Sequence, residues 1–148
     1  MTRVDFYFNA DSKLQLTCRI AAKAIRQQVR VLVYAPDDLV ARTLNRLMWT
    51  MNPTGFLPHC LATDRIATAT PIVIAADTNA VSHDDLLLNL DGRPPPTFAR
   101  FQRLVEIVSR DDAMDIQSGR ERFRYYKDQG YPIIHHDLSK QAVGTQHE

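Results

Sequence analysis

Glycine is scarce in this chain, with five in 148 residues, at Gly55, Gly92, Gly119, Gly130 and Gly144. None of them belongs to a GxGxxG run or to a GxxxxGKS/T run, so no segment lets backbone approach a pyrophosphate in the way nucleotide-binding turns do. Cysteine is sparser still, with two. Cys18 and Cys60 lie far apart, follow no ligand spacing and read as reduced thiols. No stretch nears the ~20 consecutive apolar residues that cross a bilayer, and Met1-Thr2-Arg3-Val4-Asp5 has no apolar run of the secretory kind. A soluble cytoplasmic protein is expected. Charge of one sign is lacking too: 18 basic and 17 acidic residues leave +1, which argues against tight, nonspecific phosphate binding.

What is present is an alternation of strand and helix signals. Val4-Asp5-Phe6-Tyr7-Phe8 is a β-prone run. Asp11 and Ser12 offer cap chemistry for a helix near 12–28, whose apolar positions Leu14, Cys18, Ala21, Ile25 and Val29 share one face. Val31-Leu32-Val33-Tyr34 and Pro71-Ile72-Val73-Ile74-Ala75-Ala76 read as strands buried on both faces. Asp37 and Asp38 open a second helix running to about Met51, with Val40, Leu44, Leu47 and Met51 as its core stripe. Asp85 to Leu90 and Leu104 to Val108 are further strands, Thr97 to Arg103 a short helix, and the run Gly92 to Pro96 a loop. Asp111 and Asp112 open a third major helix that Gly130 stops, and Ile133 to His136 is an edge strand. The spacing predicts an α/β, three-layer, Rossmann-like fold with a mainly parallel sheet. One domain is expected over 1–138, with a flexible tail over 139–148.

Catalytic signatures are weak. His135-His136-Asp137 is the tightest cluster of ligand types, but two adjacent strand residues point to opposite faces and cannot share an ion without distortion. Ser12, Ser82 and Cys60, the last beside His59, lack a nucleophile signature. Asp84-Asp85 and Asp111-Asp112 read as turn and helix-start charges. No cofactor and no metal are expected.

Two surfaces look like binding sites. Trp49 lies about 180° from Val40 on the second helix, among polar residues, where a tryptophan needs a cover. Either the following loop with Phe56 and Leu57 folds over it, or it anchors a partner. On the third helix Arg120, Arg124 and Lys127 share one side, bordered by Ile116 and Phe123. That row suits a ligand that is acidic and ends in a hydrophobic group. A solvated face with Glu121 nearby, and stacking of single-stranded nucleic acid, are the other readings.

The ordered set of segments resembles the chi subunit of bacterial DNA polymerase III over about residues 3 to 137. Arg120-Glu121-Arg122-Phe123-Arg124-Tyr125-Tyr126-Lys127-Asp128-Gln129-Gly130-Tyr131 looks like that family's last helix and turn. Leu47-Met48-Trp49 through Phe56-Leu57-Pro58-His59 is similar to another of its regions. The resemblance implies a non-catalytic accessory subunit of the clamp-loader assembly. It implies pairing with the psi subunit, binding to the acidic, phenylalanine-terminated tail of single-stranded DNA-binding protein and a place in the nucleoid-associated replisome; little direct nucleic-acid binding is expected from the near-zero net charge. By position, Arg120 pairs with the tail's terminal carboxylate, Phe123 and Ile116 line the slot for its last ring, and Arg124 meets upstream aspartates, with Lys127 and Ser109 alongside. Trp49, Phe56, Leu57, Pro58 and His59 fall in the psi-facing surface. Ile116 and Ser109 depart from the family pattern, where some relatives carry lysine and a larger apolar residue. A small nucleotide- or phosphosugar-using enzyme is the alternative.

Overall fold

A computed structural model describes residues 1–50 and 57–139. Seven strands form one parallel sheet: β1 (Arg3–Ala10), β2 (Val31–Tyr34), β3 (His59–Leu61), β4 (Ile72–Ala75), β5 (Leu86–Asn89), β6 (Arg103–Ser109) and β7 (Ile133–Asp137). Their spatial order is β3-β4-β2-β5-β6-β1-β7. Helices α1 (Lys13–Arg26) and α2 (Asp38–Thr50) pack together on one face, and α3 (Ala113–Asp128) packs on β6 from the other. The Rossmann-like, three-layer arrangement expected from the alternation of signals is therefore present.

The central strands are buried on both faces, which is why they read as unbroken apolar runs. Val31, Val33, Ile72, Ile74, Leu86 and Leu88 face α1 and α2, while Leu32, Val73, Leu87 and Leu104 face the α3 layer. Caps fall where the sequence places them. The Ser12 hydroxyl accepts from Gln15 N, the Asp37 carboxylate from Leu39 N, and the Asp112 carboxylate from Met114 N and Asp115 N. Gly130, at φ +85°, ends α3 in the left-handed region that glycine enters without strain.

Three expectations shift. Helix α1 stops at Arg26, before Val29, because Gln28 turns to φ +62° and breaks the helical path. The buried side chains of α2 are Leu44 and Met48, with Val40 and Leu47 half-buried; Met51 lies outside the described residues. His59 to Leu61, which carries no strand signal of its own beside Pro58, is an edge strand paired with β4, since three residues are too short a pattern to be read alone.

Strands β1 and β6 are neighbours, yet their outgoing helices leave to opposite faces. This is a topological switch point, the crevice where sheets of this kind usually take ligands.

Candidate functional site

The crevice at that switch point already holds an anion, and it belongs to the chain. The Asp115 carboxylate, in the first turn of α3, accepts from Ser109 N at 2.7 Å and from Lys13 Nζ at 3.0 Å. Burial alone would raise its pKa, but the Ser109 N–H and the Lys13 ammonium hold it below the usual carboxylate range. A phosphate entering here would meet a fixed negative charge and a lysine already engaged. The lack of glycine in Asn9-Ala10-Asp11-Ser12 and the filled anion position thus agree.

The open space lies beside this crevice, between α3 and the β1–β7 edge of the sheet. It is a groove of about 760 Å³ lined by apolar Phe6, Phe8, Val108, Ile116 and Phe123, with Ser109 and Asn9 at the carboxyl ends of β6 and β1. Arg120, Arg124 and Lys127 stand on its rim, together with Asp128. The helical spacing brings these side chains together as the sequence suggests: every residue assigned to the acidic-tail slot lines this one groove. Among the described residues none of the three rim cations has an ion-pair partner. Phe123 meets Phe6 edge-on at 5.4 Å and lies tilted against His135 at 5.1 Å, so its ring is braced from the sheet side. His135 also stands edge-on to Phe8 at 6.2 Å.

Gly119 decides how deep the groove is. A Cβ built on it would lie 2.6 Å from Cγ2 and 3.2 Å from Cγ1 of Val108, a β-branched side chain stiff at χ1. Only glycine lets α3 sit this close to β6.

The second surface is smaller than the sequence suggests. Trp49 is 58% exposed and leans on His59 edge-on at 5.0 Å, so neither ring is isolated. Leu57 and His59, however, are buried; Leu57 packs into the α1–α2 core, and the His59 ring bonds to the carbonyls of Leu57 and Asn45. Both side chains turn inward, His59 beneath Trp49 and Leu57 into the core, as β3 packs against α2. Pro58 is half-buried, and Phe56 lies outside the described residues.

The family model for DNA polymerase III chi subunit, HolC, matches residues 1–134. This chain belongs to the DNA polymerase III chi family. Among curated relatives, the chi subunit of Pseudomonas aeruginosa is 35% identical over 144 residues, covering 95% of this chain and 99% of that protein. The chi subunits of Haemophilus influenzae and Escherichia coli are 29% and 30% identical, over 88% and 80% of this chain and 87% and 81% of their own lengths.

In this chi-family chain the sequence reading overlooked what seats α3. Glu106, in the middle of β6, is fully buried and ringed by donors: Arg122 Nε at 2.8 Å, Asn89 Nδ2 at 2.9 Å and the Tyr126 hydroxyl at 2.5 Å. Arg122 also donates to Ser118 Oγ and the Gly92 carbonyl. Burial pushes the Glu106 carboxyl up, against the pull of Arg122, Tyr126 and Asn89; burial and Glu106 together push the Tyr126 phenol up. The signal was one glutamate inside Leu104-Val105-Glu106-Ile107-Val108, since a charge on a doubly buried strand requires a partner. Arg122 and Tyr126 are the inward face of the helix whose outward face carries the groove cations.

A similar cluster sits on the opposite sheet face. Asp5 is buried among Arg3, Arg103 and His136, and His136 stacks on Tyr7 at 4.1 Å. His135 and His136 therefore do point to opposite faces, each with its own neighbours. Cys18 is buried, and burial pushes its thiol up to about 11, so it is a packing residue rather than a reactive one. No helix among the described residues is long and apolar enough to cross a membrane.

Proposed function

We propose that this chi-family chain is a non-catalytic connector of the replication machinery. Its α3 groove takes the acidic, phenylalanine-terminated tail of single-stranded DNA-binding protein, and its α2 surface around Trp49 and Pro58 takes the psi subunit of the clamp loader. The single observation that carries the first assignment is the pairing of an apolar, open groove with three rim cations that lack internal ion pairs among the described residues. Burying a terminal phenylalanine ring contributes about 1.5–3 kcal/mol, and the rim cations add salt-sensitive attraction to the tail's carboxylates. In this reading Arg120 pairs with the terminal carboxylate, Phe123 and Ile116 flank the ring, and Arg124 and Lys127 meet the upstream acids. Ile116 adds apolar surface to the slot and leaves the charge recognition to Arg120, Arg124 and Lys127. The enzymatic alternative is disfavoured by Asp115, whose carboxylate fills the anion position at the switch point.

The test is a peptide of the acidic tail ending in phenylalanine, titrated by fluorescence anisotropy into wild type and Arg120→Ala. Micromolar binding that weakens with salt is expected, with a loss of about 1–3 kcal/mol in the variant, since the pair sits at a rim rather than in a dry core. Unchanged affinity of Arg120→Ala would remove the assignment. Pull-down with full-length and tail-truncated single-stranded DNA-binding protein checks that the tail is what binds, and a parallel pull-down with psi tests Trp49.

A further inference from the structure

The near-neutral total charge conceals a strong segregation. From Ser12 to Pro36 there are five basic residues, Lys13, Arg19, Lys23, Arg26 and Arg30, and no acidic one. With those five set aside, 13 of the 18 basic residues remain against all 17 acidic residues. Net charge therefore averages over one positive helix and a negative remainder, and it does not speak against phosphate binding at the helix itself.

On α1 the segregation becomes geometry. At 100° per residue, Arg19, Lys23 and Arg26 fall within about 60° of one another. They stand opposite buried Thr17, Ala21 and Ala24, on the side away from the sheet. All three are exposed, and among the described residues none has an ion-pair partner. Lys13 and Arg30 differ: they are tied to Asp115 and to Asp84 and Asp85. With a rise of about 1.5 Å per residue, the three free cations span roughly 10 Å along the helix. That is the scale of two to three successive phosphates.

The composition of the face selects the partner. The other exposed residues of α1 and its end are Gln15, Gln27 and Gln28, while Ile20 and Ile25 pack inward. A protein partner would need an apolar or aromatic anchor, and this face offers none. It also offers no aromatic ring on which a base could stack. We propose that Arg19, Lys23 and Arg26 form a sequence-independent contact for the phosphate backbone of a nucleic acid. Three such contacts are weak at physiological salt. They gain weight when the chain is already held near DNA by another interaction, because tethering raises the local concentration to the millimolar range. That consequence rests on the proposed tail-binding function; the contact itself does not.

The experiment is anisotropy of a labelled oligothymidylate with the full chain, comparing wild type, R19Q/K23Q/R26Q and R120A/R124A. For single strands, affinity falls with a salt exponent of about −0.7 per phosphate contacted, so three contacts predict a roughly 30-fold loss between about 30 and 150 mM salt. The α1 triple variant is expected to lose at least tenfold at the lower salt, and the α3 double variant to keep its DNA affinity while losing the tail peptide. Absence of wild-type binding at low salt, equal binding by the triple variant, or loss in the α3 variant alone would each overturn the proposal. So would a poly-glutamate peptide bound through the same three residues more tightly than the oligonucleotide. Circular dichroism of the triple variant checks that α1 is intact, and a further variant, R19K/R26K, must retain binding if charge is what matters.

Discussion

Replacing Arg122 by methionine tests whether the buried Glu106 network is what seats α3. Methionine keeps most of the volume of the arginine stem but leaves the carboxylate with only Asn89 and Tyr126 as donors. Arg122 and Glu106 are 1% and 0% exposed and pair at 2.8 Å, so the interaction lies in a low-dielectric interior. Breaking a buried pair from one side costs about 3–5 kcal/mol, a large share of the 5–15 kcal/mol that holds a typical domain. For a chain of this size each kcal/mol moves Tm by roughly 2–4 °C, so a fall of about 6–20 °C is expected. The sign of the pH dependence follows from Glu106. Its folded pKa is already raised by burial, and losing Arg122 raises it further. Between the unfolded value of about 4.3 and the folded value, the native state binds the extra proton, so stability falls as pH rises. The Arg122→Met deficit should therefore be smaller at pH 5 than at pH 8 when measured by urea unfolding. Adding Glu106→Gln, which removes the stranded charge, should recover at least half of the loss. A single variant within about 1 kcal/mol of wild type at pH 8, or no recovery in the double variant, would refute the reasoning.

Gly119→Ala should cost about 1–3 kcal/mol by forcing a methyl against Val108, and should weaken tail-peptide binding by displacing α3 from β6, as thermal melts and anisotropy will show. Asp5 is lowered, burial being outweighed by the His136 hydrogen bond and by Arg103 and Arg3; its contribution is present above about pH 3.9 and is lost as pH falls through the folded value, so Asp5→Asn should flatten the acid limb of a urea-derived stability profile. Trp49→Ala should leave stability within about 1 kcal/mol, because the ring is largely exposed, yet abolish psi pull-down; a large loss of Tm would mean that the ring serves the fold.

Much of this molecule is legible one element at a time. The doubly apolar strands, the caps at Ser12, Asp37 and Asp112, and the stop at Gly130 follow from local chemistry, since strand burial and helix ends leave marks within a few residues. The row Arg120, Arg124 and Lys127 beside Ile116 and Phe123 is equally visible, because helical spacing alone places them on one side. What crosses the chain is not. No periodicity tells that Asp115 reaches Ser109 and Lys13, or that Glu106 takes Arg122 and Tyr126. Leu57 and His59, expected at the surface, turn inward because β3 pairs with β4 under α2.

Residue types at fixed local spacing were enough to set the fold class, the chi resemblance and the cation row of α3. Tertiary packing alone settled which charges are spent internally and which stay free. Lys13 and Arg122 are consumed by Asp115 and Glu106, whereas Arg120, Arg124 and Lys127 keep no ion-pair partner among the described residues. The physical reason is that pairing depends on distances between strands and helices far apart in sequence, and those distances are set only when the sheet order is.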